Sequence, residues 1–401
     1  MKIVVAIDSF KGSLTSIEAG QAAIDCIQSL FPNCQTELIP IADGGEGMLT
    51  VMMSTSKGHI QSLEAHNPCM EKITTNYGIS LDGKTAFIEM ASLSGLPLIK
   101  KEQQDPMKTT TFGTGELIRD ALEKGCTDFI IGIGGSATND AGIGMLQALG
   151  FQFLDKSKKA LGQGGEILEK VASVCTQNAH KSLKNAHFIV ACDVQNPFYG
   201  PNGAAAVFAR QKGADNSMIE KLDQGMRSFS QVIQRTTGKD ISQTPGSGAA
   251  GGLGGGMLAF FNAELRSGAD LLLDLSQFES KIENADLIIT GEGRIDHQSL
   301  MGKIPGKILK IGKRKGIPVI AIAGCLEDEE ILKSAGFKGI YTTKPDSMPL
   351  EEAMKKETAT QNIKRVLSIV IQREMNFPPT HQKVPPFFCP FNSIIYFCCL
   401  I

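Results

Sequence analysis

The sequence predicts an α/β protein of about two domains, and three observations carry that expectation. At 401 residues the chain is long enough for two domains of roughly 150 residues or more. Apolar runs that read as buried strands alternate with helical stretches, most regularly in the last third, which is the pattern of a parallel sheet covered on both faces. The 43 glycines gather in "DGGEG", "GIGGSATNDAGIG", "GSGAAGGLGGG" and "TGEGRID", each placed where backbone could approach a ligand closely.

Taken in order, "KIVVAI" reads as a buried strand, followed by the loop "DSFKGS" and a helix capped at Ser13 or Thr15, with Glu18 as the capping-box partner of Thr15. The run "TELIPIA" reads as a second strand ending at Asp43. Next comes "GISLDGKT", Gly78 to Thr85, which fits the phosphate-cradling pattern G-x-x-x-x-G-K-[ST]. Its flanks exclude that use: β-branched and aromatic residues precede it, and Asp82-Gly83 is a hairpin-turn pair, so Lys84 and Thr85 open a return strand with no helix N-terminus to hold a phosphate. A helix "GELIRDALEKG", a strand "DFIIGIG", a helix around "AGIGMLQALG", a strand "HFIVACD" and a polar helix over 215–237 follow. Strand "ADLIIT", helix "GKILKIGKRKG", strand "IPVIAIAG", helix "DEEILKSAG", strand "GIYTT" and a helix over 350–373 complete the alternation.

A formal net charge of -2 leaves no electrostatic footprint for nucleic acid or an anionic membrane. Cys26 to Cys325 contain no CxxC pair and no zinc spacing, and no leader or membrane-length apolar run is present, so a cytoplasmic protein with reduced thiols is expected.

Ligands of open α/β sheets sit beyond the carboxyl ends of the strands, which makes the map of strand ends a map of candidate residues. Asp8, Asp43, Gly134 to Asn139, Asp193, Gly291 to Asp296 and Gly324 all fall there. Gly134, Gly135, Ser136, Thr138 and Asn139 form a strand-loop-helix anion or nucleotide site; Gly132, Gly134 and Ala137 also satisfy a loose G-x-G-x-x-A dinucleotide pattern. Asp43 and Asp193, with Asp296 nearby, are candidates for metal or acid/base work, the bland alternative being turn capping. Lys11, Arg294 and Lys303 are the cations placed to meet phosphate or a carboxylate. The run at 246–256 reads equally as a loop that covers phosphate or as a connector packed against a helix.

The order of "DSFKGSL", "ADGGEG", "TTFGTGEL", "GIGGSATNDAGIGM", "ACDVQNPFYGPNGAA", "KGAD", "AAGGLGGG" and "ITGEGRIDHQS", with Gly302-Lys303, resembles the bacterial glycerate kinases of the class I family over residues 1 to 375. The resemblance implies ATP-dependent phosphorylation of D-glycerate with Mg, generally at the 2-hydroxyl. It implies a flavodoxin-like parallel-sheet domain built from both chain ends (1–68 and 284–376), an inserted α/β domain with a β-hairpin (69–283), and a ligand cleft between them. A homodimer is compatible with it. Phosphoryl transfer to an alcohol then assigns Asp193 and Asp43 as base and Mg ligand, with Asp296 a second ligand. Lys11 and Lys303 become phosphate partners, Arg294 the clamp on the glycerate carboxylate, and Ser136, Thr138 and Asn139 contacts to phosphate or substrate. Two other readings stay open: a nicotinamide-dependent 2-hydroxyacid dehydrogenase, with Asp155 near the ribose-binding spacing, and a non-catalytic sensor of small organic acids. Residues 377–401 match nothing in the family and are expected to be read-through or frameshifted sequence without regular structure, the alternative being a hydrophobic anchoring or interaction tail.

Overall fold

The computed structural model describes residues 1–42 and 47–374; Asp43 and the tail at 377–401 lie outside the described residues. The strands are, in chain order, β1 (Lys2–Ile7), β2 (Gln35–Leu38), β3 (His59–His66), β4 (Lys72–Ile79), β5 (Thr85–Glu89), β6 (Asp128–Gly132), β7 (Gln152–Leu154), β8 (Ser173–Cys175), β9 (His187–Ala191), β10 (Glu264–Arg266), β11 (Leu287–Ile295), β12 (Val319–Leu326) and β13 (Gly339–Thr342). Five of them form an all-parallel sheet in the order β13-β12-β11-β1-β2. Six more form a second sheet, β10-β9-β6-β5-β4-β3, parallel from β10 to β5 and antiparallel from β5 to β3. β7 and β8 pair with each other alone.

The first sheet is made from both chain ends because its strands are apolar on both faces. Ile3 to Ile7, Leu287 to Ile289 and Ile320 to Ala323 are wholly buried, and such a sheet needs a helical layer on each side. On one side the helix Ser16–Leu30 packs Ala19, Ala23 and Ile27 against Ile363, Val366 and Leu367 of the helix Lys356–Glu374. The other side is covered by Leu273, Phe278, Ile304 and Ile308. The helix at 16–30 starts as expected: Thr15 caps it, and Glu18 closes the capping box with a bond from Thr15 N at 2.9 Å.

The hairpin also forms as expected. β4 and β5 are antiparallel, Thr85 opens the return strand, and Asp82 accepts the Lys84 N–H at 3.1 Å in the turn, leaving Lys84 exposed. Four expectations are corrected. β2 stops at Leu38, since Ile39 N–H still reaches Val5 O at 2.9 Å but Pro40 has no N–H to continue the ladder. β11 runs through Ile295 because β12 continues beside it to Leu326, so "GEGRI" is strand where a loop is expected. Gly291 permits this, its missing Cβ leaving room for Ile322 O, 2.3 Å from where that atom would stand. The last helix is broken into Leu350–Ala353 and Lys356–Glu374. Finally, β3 belongs to the six-stranded sheet although it precedes residue 69.

The glycine run at 246–256 is neither an open loop nor a slack connector. It enters the buried helix Ala249–Phe260, with Ala250, Gly251 and Gly252 in left-handed conformation. A Cβ on Gly251 would stand 2.1 Å from Thr138 O, so the glycines let this segment lie directly against the loop that follows β6.

Candidate active site

The loop after β6 begins with exposed Gly134 and Gly135 and then turns inward, so that Thr138, Asn139 and Asp140 are wholly buried. Asp140 anchors the turn. Its carboxylate accepts N–H groups of Thr111 at 2.8 Å, Gly142 at 3.1 Å and Gly144 at 3.1 Å, and the Thr111 hydroxyl at 2.9 Å. Burial pushes its carboxyl above the usual range, and these donors oppose that shift.

Lys212 lies over the same loop at 1% exposure and donates from Nζ to Ser136 Oγ and to Thr138 O, both at 2.7 Å. Burial pulls its ammonium down to about 7, against a smaller pull upward from Asp140. The residue heads the "KGAD" segment, where Gly213 takes φ +98° and Asp215 caps the helix Asn216–Thr237. In the sequence that segment has no assigned chemistry, because a lysine in a polar stretch reads as solvated surface.

Two cavities meet at Asp193, just past the end of β9. One, of about 500 Å³, is lined by Gly134, Gly135, Ser136, Asp193 and Lys212 among others. The other, of about 800 Å³, joins the two sheets: Asp193 and Arg266 come from the six-stranded side, and His297, Lys303 and Lys307 from the five-stranded side. Asp193 Oδ1 accepts Gly268 N–H at 3.0 Å, which orients the side chain at the start of the helix Gly268–Leu275 while leaving the residue exposed.

The remaining sequence candidates are placed as follows. Lys11 lines a third cavity of about 410 Å³ with Asp8 and Glu89, apart from Asp193. Arg294 is 61% exposed and pairs with Glu327 at 2.5 Å and Asp296 at 3.8 Å. Asp296 caps the turn His297–Leu300, accepting from Gln298 N at 2.9 Å and Ser299 N at 3.2 Å. Thr138 and Asn139 are wholly buried: Asn139 Nδ2 donates to Met226 Sδ at 3.3 Å, while Thr138 Oγ1 and Asn139 Oδ1 have no hydrogen-bond partner among the described residues. From that loop Ile133, Gly134, Gly135 and Ser136 line the 500 Å³ cavity at Asp193.

Among the described residues no three metal-ligating side chains gather round one point. Asp155, the acidic residue a dinucleotide fold would need, sits after β7 and accepts Ser157 N and Lys159 N at 2.8 and 2.9 Å within its own turn. β7 is not part of the parallel sheet that follows the glycine loop, so the ribose position of such a fold is not formed.

Comparison with known proteins shows the family. The model of the glycerate kinase family matches residues 3–373 of the chain. Glycerate kinase of Haemophilus influenzae is 42% identical over 374 residues, covering 92% of this chain and 99% of that protein. Glycerate 2-kinase of Escherichia coli is 42% identical over 375 residues, covering 92% and 98%. A crystal structure of a protein assigned as glycerate kinase 2 from Salmonella typhimurium LT2 superposes with a TM-score of 0.84 at 40% identity, covering 94% of this chain and all of that one.

Proposed function

This chain belongs to the glycerate kinase family, and on that premise we propose that it transfers the γ-phosphoryl group of ATP to D-glycerate with Mg, giving 2-phosphoglycerate. The observation that supports this best is the position of Asp193. An exposed carboxylate stands where two cavities meet, with Gly134, Gly135 and Ser136 on one side and Lys303 and Lys307 on the other. Phosphoryl transfer asks for little covalent chemistry from a protein; it asks for in-line placement, cations on charged oxygens and a carboxylate for the hydroxyl proton.

In this proposal Asp193 orients the acceptor hydroxyl and takes its proton, or shares in holding Mg. Lys303 and Lys307 neutralise phosphate oxygens. Arg294 binds the glycerate carboxylate, exchanging an exposed ion pair for it. Lys11, which lines the third cavity with Asp8, is assigned to phosphate by its place in the loop after β1. Magnesium is commonly held by one or two carboxylates plus substrate phosphates, and Asp193 and Asp296 suit that use; bound there, it would offset charge on the phosphates. Asp43 keeps its place as partner of Asp193 only by its position in the sequence.

The 800 Å³ cavity between the sheets is the proposed cleft between two domains, one built from both chain ends around the five-stranded sheet and an inserted one around the six-stranded sheet, to which β3 belongs. Among the described residues no helix is long and apolar enough to cross a membrane, and a cytoplasmic site of action is part of the proposal.

Purified protein titrated with D-glycerate, with and without Mg-ATP, should release ADP only when all three are present, and phosphorus NMR should show the 2-phosphate. Nicotinamide reduction in place of ADP release would support a dehydrogenase. Glycerate binding that is indifferent to Mg-ATP would support a sensor.

A further inference from the structure

We infer that Lys212 is an anion-binding residue of this site, its ammonium serving a phosphate or carboxylate oxygen held between the loop Gly134–Ser136 and Asp193. The inference deepens the kinase proposal and rests on it for the identity of the ligands.

An ammonium carries three donors, and two of those on Lys212 are used by Ser136 Oγ and Thr138 O. Both acceptors are neutral. Among the described residues no carboxylate lies within ion-pair distance of Nζ, although the residue is only 1% exposed. A buried charge whose counter-charge, Asp140, lies out of ion-pair contact is expensive, and a protein that needed only a tie between two loops could use a neutral side chain of similar length. The expense is relieved if an anion completes the set. Lys212 lines the 500 Å³ cavity, so the third donor has a ligand-sized space beside it.

The wall opposite suits an anion. Gly134 and Gly135 offer backbone without side chains, and Gly135 holds φ +74°, a left-handed conformation that favours glycine. The other charged or titratable groups around Lys212 are few. Asp193 and Cys192 come from the end of β9, Asp140 lies beneath the loop, and Arg210 on the same turn is engaged with Asn216. Lysine also suits this place better than arginine would, because its proton affinity moves with its surroundings: burial lowers it, and an anion entering the cavity would raise it again.

Two ligand sources share this chemistry, the phosphates of the nucleotide and the carboxylate of glycerate, and calorimetric titration with Mg-ADP and with D-glycerate separates them. Lys212→Met should keep the circular dichroism spectrum and weaken one of the two ligands by about ten- to hundredfold, the range of a charge-assisted bond. That ligand's binding heat at pH 8, compared between buffers of different ionisation enthalpy, should show proton uptake in the parent protein and none in the variant. A purely structural lysine would lower the melting temperature and leave both measurements alone. A folded Lys212→Met that binds both ligands as the parent does overturns the inference. If the variant does not fold, parent protein that takes up no proton with either ligand overturns it equally. These failures are distinct from failure of the kinase proposal, which would appear as absent turnover in the parent chain whatever Lys212 does.

Discussion

Two sets of charges occupy comparable strand-end positions and are held in opposite ways. Beyond β6, Asp140 and Lys212 are buried and fixed by bonds at 2.7 to 3.1 Å, those from Thr111 to Asp140 and from Lys212 to Ser136 and Thr138 joining segments distant in sequence. At the end of β11, Arg294, Asp296 and His297 lie near the surface, Arg294 paired with Asp296 and with Glu327, and His297 with Asp328, just past the end of β12. A buried set is preorganised: it costs stability or contributes much of it, and a ligand finds it already in place. An exposed ion pair is worth about 0–1 kcal/mol, so a ligand can take over one of its members at little cost. The same strand-end geometry thus supplies a rigid wall on one side of Asp193 and exchangeable charges on the other.

Asp193, where the two sides meet, should give the largest effect. Asparagine keeps an oxygen to accept the Gly268 N–H, so the helix start survives while the charge is lost. Turnover of Asp193→Asn should fall hundredfold or more with an unchanged circular dichroism spectrum. Near-normal turnover would make Asp193 a cap and no more.

Removal of the buried anchor should appear in stability instead. Asp140→Ala strands the N–H groups of Thr111, Gly142 and Gly144 in the interior. Each buried unsatisfied donor costs about 1–3 kcal/mol, so the variant should lose roughly 3 kcal/mol or more, read as a lower urea midpoint at constant slope. A loss under 1 kcal/mol would mean that this wall is not held as rigidly as its bonds suggest.

The contrast also explains which parts of the molecule the sequence makes legible. Local rules suffice for β1, the capping box of Thr15 and Glu18, the Asp82-Gly83 turn and the closing alternation of strands and helices, since each depends on neighbours a few residues away. Asp193 is legible for the same reason, as an acidic residue just past an apolar run. The length of β11 is not, because it depends on how far β12 runs beside it. Lys212 is not either: its burial is decided by Ser136, 76 positions earlier, and nothing within "QKGAD" announces that the chain folds back over it. The burial of Thr138 and Asn139 is hidden for a related reason, since polar residues in a glycine-rich loop read alike whether they face the cavity or the interior.

On the exposed side, Arg294→Ala should change thermal stability by less than about 1 kcal/mol, because both of its ion pairs are in solvent. If Arg294 leaves Glu327 for the glycerate carboxylate, the variant should raise KM for glycerate about tenfold while KM for ATP stays put. Equal KM values for glycerate in the two proteins would confine Arg294 to its surface pairs and leave the carboxylate to Lys303 or Lys307.

The smallest effect is expected at Lys84, and it separates a sequence pattern from the geometry the pattern requires. A lysine in G-x-x-x-x-G-K-[ST] grips transferring phosphate only where a helix starts at that residue and its free amides share the load. Here Lys84 is an exposed turn residue, its own N–H is taken by Asp82 at 3.1 Å, and Thr85 begins a strand that pairs with β6. Lys84→Ala removes neither a buried contact nor a group on either cavity at Asp193, so turnover and urea midpoint should match the parent within about 0.5 kcal/mol. A thousandfold fall in turnover with the fold intact would place the transferred phosphate at the hairpin, and the contrast between the two sides of Asp193 would then no longer describe the active site.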